Sequence, residues 1–126
     1  LSLNSAAHRF YTSAIVGGTL PIAVGVAAGI KRRGGSERVW CFVGDMCASI
    51  GAFADAVKYA DGYELPITFL VEDNGQSTDT PTAETWGEPK RSGYLFMPPV
   101  SISDKVKLYR YERSVPHYGS GKVRDL

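Results

Sequence analysis

Two apolar runs, Val39 to Val43 and Pro66 to Val71, each stop abruptly at polar residues, the first at Gly44-Asp45 and the second at Glu72-Asp73-Asn74. Unbroken apolar character suits strands of a parallel sheet, which are covered on both faces. Between the runs, Phe53, Val57 and Ala60 fall three and four residues apart. That spacing predicts a helix from Ile50 to about Ala60, with Ser49 as its cap. Strand, turn, helix and strand in this order make a βαβ unit, right-handed by default. The pattern predicts an α/β fold, a parallel sheet with flanking helices.

A unit of this kind fixes where a ligand can sit. Open parallel sheets bind ligands at the carboxyl ends of their strands, and Asp45 and Asn74 fall there, twenty-nine residues apart. The first N–H groups of the helix after Asp45 attract phosphate oxygens that the carboxylate itself repels. A cation bridging the two resolves the conflict, and Mg²⁺ takes such a mixed set of oxygens in octahedral array. Asp45 supplies a carboxylate, Asn74 an uncharged amide oxygen, and a backbone carbonyl near Gln76 a third donor. Read singly, Asp45 also fits a helix cap and Asn74 a turn; read as a pair on neighbouring strands, they favour the metal.

Upstream, the stretch from Ala14 to Ile30 is apolar and rich in small residues, but Gly17-Gly18, Thr19 and Pro21 interrupt it. It is too short for a membrane span, and no signal-peptide pattern precedes it. Pro21 fits a first helical turn, with Thr19 or Leu20 near the cap and a helix over Ile22 to Arg33. Gly25 and Gly29 share a face of that helix, at a cost of roughly 1 kcal/mol each against alanine unless something approaches closely there. Lys31-Arg32-Arg33 before Gly34-Gly35 reads as a helix end closing its dipole. Fourteen basic against thirteen acidic residues give a charge of +1, which argues against a nucleic-acid surface built on bulk charge. Cys41 and Cys47 match neither a CxxC pair nor a zinc knuckle and read as reduced thiols in a cytoplasmic protein.

The 126 residues read as a single domain, with its core over 14–80 and a variable loop and edge strand over 81–126. Residues 1–18 read as an entry loop, and the polar stretch Gly75 to Thr82 as a lid, a partner-binding segment or disorder. Val106 to Arg113 alternates and predicts an edge or partly exposed strand. The missing initiator methionine and the unfinished end predict a partial domain, a piece of a longer or engineered product.

Gly44-Asp45, the helix after it and Glu72-Asp73-Asn74 resemble the thiamine diphosphate motif, which opens with Gly-Asp-Gly and closes with Asn-Asn or Asp-Asn about thirty residues later. The segment Ala14-Ile15-Val16-Gly17-Gly18-Thr19-Leu20-Pro21-Ile22-Ala23-Val24-Gly25 resembles the one before the first strand in alpha subunits of 2-oxo acid dehydrogenase E1 components, the pyruvate, branched-chain and acetoin dehydrogenase group. The likeness covers Ala14 to about Thr80 and implies a truncated thiamine diphosphate-binding fold. It implies Asp45, Asn74 and the carbonyl of Gln76 as Mg²⁺ ligands. Val16 would lie at the aminopyrimidine, and Gly44 with the backbone N–H groups of Met46 and Cys47 at the diphosphate. His8 would correspond to a histidine that approaches the diphosphate or the substrate, the one catalytic candidate.

The resemblance further implies an oligomer in which a beta subunit or second domain supplies the activating glutamate, and a 2-oxo acid substrate that is decarboxylated before acyl transfer to a lipoyl carrier. Glu72, beside the metal ligands, reads as structural, and His117 as a loop residue. The motif's third position is usually glycine, and here it is Met46; a positive φ or tight backbone contact there would strain methionine. The competing expectation is a non-catalytic α/β structural or interaction subunit that has lost the cofactor.

Overall fold

The computed structural model describes residues 2–87 and 103–115. Two two-residue strands, β1 (Asn4–Ser5) and β2 (Phe10–Tyr11), pair antiparallel in a short hairpin within the expected entry loop. Helix α1 (Thr19–Arg32) follows, with Pro21 in its first turn and Lys31 and Arg32 in its last. Strand β3 (Val39–Gly44) leads directly into the one-turn helix α2 (Asp45–Ala48), then α3 (Gly51–Gly62) and strand β4 (Ile67–Asp73). A second small hairpin, β5 (Gln76–Ser77) with β6 (Thr80–Pro81), and helix α4 (Thr82–Thr85) come next. Strand β7 (Val106–Arg110) completes the sheet.

The main sheet has three strands in the order β3-β4-β7, and both pairings are parallel. The fold is therefore α/β, as the sequence pattern predicts. Cys41 and Val43 on β3, and Ile67, Phe69 and Val71 on β4, pack under α1 and α3 with Leu20, Ala27, Phe53, Val57 and Ala60 in one core. Phe53 meets Phe69 edge to face, with ring centroids 5.5 Å apart.

Four expectations need correction. Strand β3 is an edge of the described sheet, and Trp40 and Phe42 on its outer face are 60% and 58% exposed; β4 is the strand between neighbours. An apolar run alone does not reveal strand order. Ser49 does not cap α3: the cap position is Ile50, with no side-chain bond, while the Ser49 hydroxyl donates to the Met46 carbonyl at 2.7 Å and closes α2. A break of two residues between two helices was invisible in the periodicity. Gly25 and Gly29 share an exposed face on which nothing among the described residues lies within 4 Å of a Cβ built at either. Of the three readings of residues 75–82, disorder falls, because they form a hairpin and a helix start, with the Thr82 N–H donating to the Gly75 carbonyl at 2.9 Å. The expected edge strand is found over Val106–Arg110; the rest of 88–102 and 116–126, including His117, lies outside the described residues.

Candidate functional site at the carboxyl edge of the sheet

Parallel pairing of β3 with β4 runs from Val39 opposite Ile67 to Gly44 opposite Glu72. One step further along the strands stands Asp45, with Asp73 and then Asn74 leaving the neighbouring strand. Strands pair about 4.8 Å apart, so the register alone brings Asp45 and Asn74 to the same rim. Asp45 is 3% exposed. Burial pushes its carboxyl above the ordinary carboxylate range; the Thr82 hydroxyl works against that, the charge of Asp73 adds to it, and backbone N–H bonds of Asp45 and Met46 oppose it.

Thr82, fully buried, donates its hydroxyl to Asp45 Oδ2 at 2.5 Å. The Asn74 Oδ1 accepts the Gln76 N–H at 2.9 Å, and the Asn74 amide donates to the Tyr111 hydroxyl at 3.2 Å. Asp73 is held separately: its Oδ1 accepts the Gly75 N–H at 3.0 Å, and its Oδ2 takes Arg110 Nε at 2.9 Å and Nη2 at 2.8 Å. The residues after β7 pin the small hairpin, because Arg113 reaches both the Thr78 carbonyl and Asp79, the latter at 2.6 Å. Trp86 donates from its indole to Ser49 Oγ at 3.0 Å. The strap from Asn74 to Trp86 thus leaves one strand end and returns to lie against the other.

Of the residues singled out in the sequence, Gly44, Asp45, Met46, Cys47, Asn74 and Gln76 gather at this rim. Met46 lies in α2 and is absent from the non-glycine residues with positive φ, which are Arg9, Glu64 and Thr78. The strain foreseen for a positive φ at this position therefore does not arise. Cys47 is held near the loop before α1: burial raises its thiol, and a backbone N–H of Gly17 counters that. Burial pushes Cys41 up to about 11. Val16, one residue before Gly17, is 59% exposed. His8 stands apart. Its Nδ1 bonds Ser5 Oγ at 2.8 Å, and the adjacent Arg9 reaches Glu37 before the amino end of β3, the opposite end of that strand from Asp45. Glu72 is exposed.

The sequence reading missed Thr82, Tyr111 and Trp86. Each partner lies 37 residues away along the chain, beyond any helical or strand period.

The donors suit a hard cation. A carboxylate offers about four lone-pair sites, and the Thr82 hydroxyl at Asp45 Oδ2 takes one of them. An amide oxygen and a backbone carbonyl complete an oxygen set of the kind Mg²⁺ accepts without adding charge.

Comparison with known proteins gives a consistent picture. The family profile of the dehydrogenase E1 component matches residues 2–92. The pyruvate dehydrogenase E1 component subunit alpha of Staphylococcus epidermidis is 30% identical over 70 residues, 56% of this chain and 19% of that protein. Its counterpart in Bacillus subtilis is 34% identical over 67 residues, 53% of this chain and 18% of that protein. The chain spans about a fifth of the length of these relatives.

Proposed function

The chain belongs to the dehydrogenase E1 component family, and from that premise we propose that it is the thiamine diphosphate- and Mg²⁺-binding part of the alpha component of a 2-oxo acid dehydrogenase. The observation that carries this reading is the buried Asp45 at the end of β3, on the same sheet edge as Asn74 at the end of the adjacent parallel strand. Asp45, the Asn74 amide oxygen and the Gln76 carbonyl would hold the metal. Gly44, Met46 and Cys47 line the turn where diphosphate oxygens would approach, and Val16 lies on the exposed loop that would meet the aminopyrimidine. When bound, thiamine diphosphate supplies an electron sink for decarboxylation of a 2-oxo acid.

This chain's part is to bind and orient. Asp45, 3% exposed, would neutralise part of the metal charge at a contact kept from water. The Asn74 Oδ1 accepts the Gln76 N–H and would offer its second lone pair to the cation. His8 remains the catalytic candidate, for a contact with the diphosphate or the substrate. The activating glutamate is assigned to a beta subunit or second domain, with acyl transfer to a lipoyl carrier and a cytoplasmic, oligomeric setting. Among the described residues no helix is long and apolar enough to cross a membrane.

Calorimetric titration with thiamine diphosphate, with and without Mg²⁺, tests the reading. Saturable binding that needs the metal and disappears in Asp45→Ala and Asn74→Ala is the expected result. No saturable response, alone or with a beta subunit of the family, would instead favour a structural subunit without cofactor.

A further inference from the structure

A fully buried threonine whose hydroxyl meets a buried carboxylate at 2.5 Å is not explained by packing alone. Valine would fill the same space without the polar atom, and a hydroxyl buried at a sheet edge costs free energy unless it is bonded. The backbone of Thr82 is also fixed, since its N–H donates to the Gly75 carbonyl at 2.9 Å. Both the position and the direction of the hydroxyl are therefore set by the strap that begins at Asn74. Further along the same strap, Trp86 bonds Ser49 Oγ, whose own proton goes to the Met46 carbonyl. Gly75, two residues past the end of β4, and Asp45, the first residue after β3, are tied together through Thr82.

We propose that Thr82 is a positioning residue for the Asp45 carboxylate: its hydroxyl holds Oδ2, fixes the rotation of the carboxyl plane, and leaves the remaining lone pair aimed at a cation shared with Asn74. The inference rests on the metal-binding reading above and adds a residue that neither the motif nor the spacing identifies. A charge-assisted bond of this kind is stronger than a neutral one and fixes the carboxyl geometry that a small octahedral cation demands. Groups that orient a metal ligand commonly change affinity about 10- to 100-fold when removed.

The test uses the whole chain and two substitutions, Thr82→Val and Thr82→Ser. Mg²⁺ is titrated at fixed thiamine diphosphate, and thiamine diphosphate is then titrated at saturating Mg²⁺, both followed by calorimetry alongside thermal melts. The proposal expects Thr82→Val to raise the Mg²⁺ concentration at half-saturation about tenfold or more. Thiamine diphosphate affinity at saturating metal should stay near that of the unaltered chain, and Thr82→Ser should restore the metal response. A purely structural role would lower the melting temperature and the fraction of competent protein while leaving the half-saturating Mg²⁺ concentration unmoved, and that result overturns the proposal. Serine failing to rescue a variant that melts normally also overturns it. Absence of metal-dependent binding by the unaltered chain is a different failure, which overturns the functional reading and this inference with it.

Discussion

Ionising a carboxyl as buried as Asp45 costs free energy, and burial accordingly raises its pKa, helped by the charge of Asp73. A raised folded-state pKa means that the metal-free folded chain binds a proton more tightly than the unfolded chain does. The resulting stability is fully present below the ordinary carboxylate pKa and is lost as pH rises through the folded value. Asp45→Asn should remove that pH dependence and make the metal-free chain more stable at neutral pH, while abolishing Mg²⁺-dependent binding. Urea unfolding between acid and neutral pH, without metal, measures the first half; calorimetry measures the second. Gly17 makes a separate prediction. Its φ is +76°, and an added Cβ would lie 2.8 Å from Ile50 Cδ1. Gly17→Ala should cost about 1–2 kcal/mol from backbone conformation alone, with further loss if Ile50 cannot move, as read from urea midpoints.

At the level of elements, α3 is tied to the sheet through Phe53, which is fully buried and meets Phe69 of β4 edge to face, with Val57 buried in the same core. Phe53→Ala should cost about 3–5 kcal/mol in chemical denaturation. The Arg110 pairing with Asp73 has a largely exposed guanidinium, so Arg110→Ala should change stability by less than about 1 kcal/mol in the same assay. These elements were legible in the sequence to different degrees. Strands β3 and β4 follow from unbroken apolar runs and the buried face of α3 from a period of 3.6, all of them local, and Asp45 and Asn74 follow from where the runs stop. Thr82 was not legible, because its role is set by a hairpin that folds back onto a residue 37 positions earlier. The two-residue hairpins are too short to carry a period. The edge position of β3 depends on which strand pairs with which, and an apolar run is the same whether its neighbours lie on one side or two.

For the molecule as a whole, the parallel sheet positions the site and the strap over 74–87 completes it. Trp40 and Phe42 lie on the outer face of β3, away from the shared core, so replacing both by threonine should change unfolding free energy little, by less than about 1 kcal/mol at each position. Loss at the core and indifference at that face would locate the stability in the α1–α3 side of the sheet. The account as a whole stands on one shared ion at the sheet's carboxyl rim. Crystals grown with thiamine diphosphate and Mn²⁺, an anomalous scatterer in place of Mg²⁺, test it most directly. The predicted result is a single anomalous peak in direct contact, at roughly 2 Å, with a carboxylate oxygen of Asp45, Asn74 Oδ1 and the Gln76 carbonyl. A fully occupied metal that touches neither Asp45 nor Asn74 would contradict it.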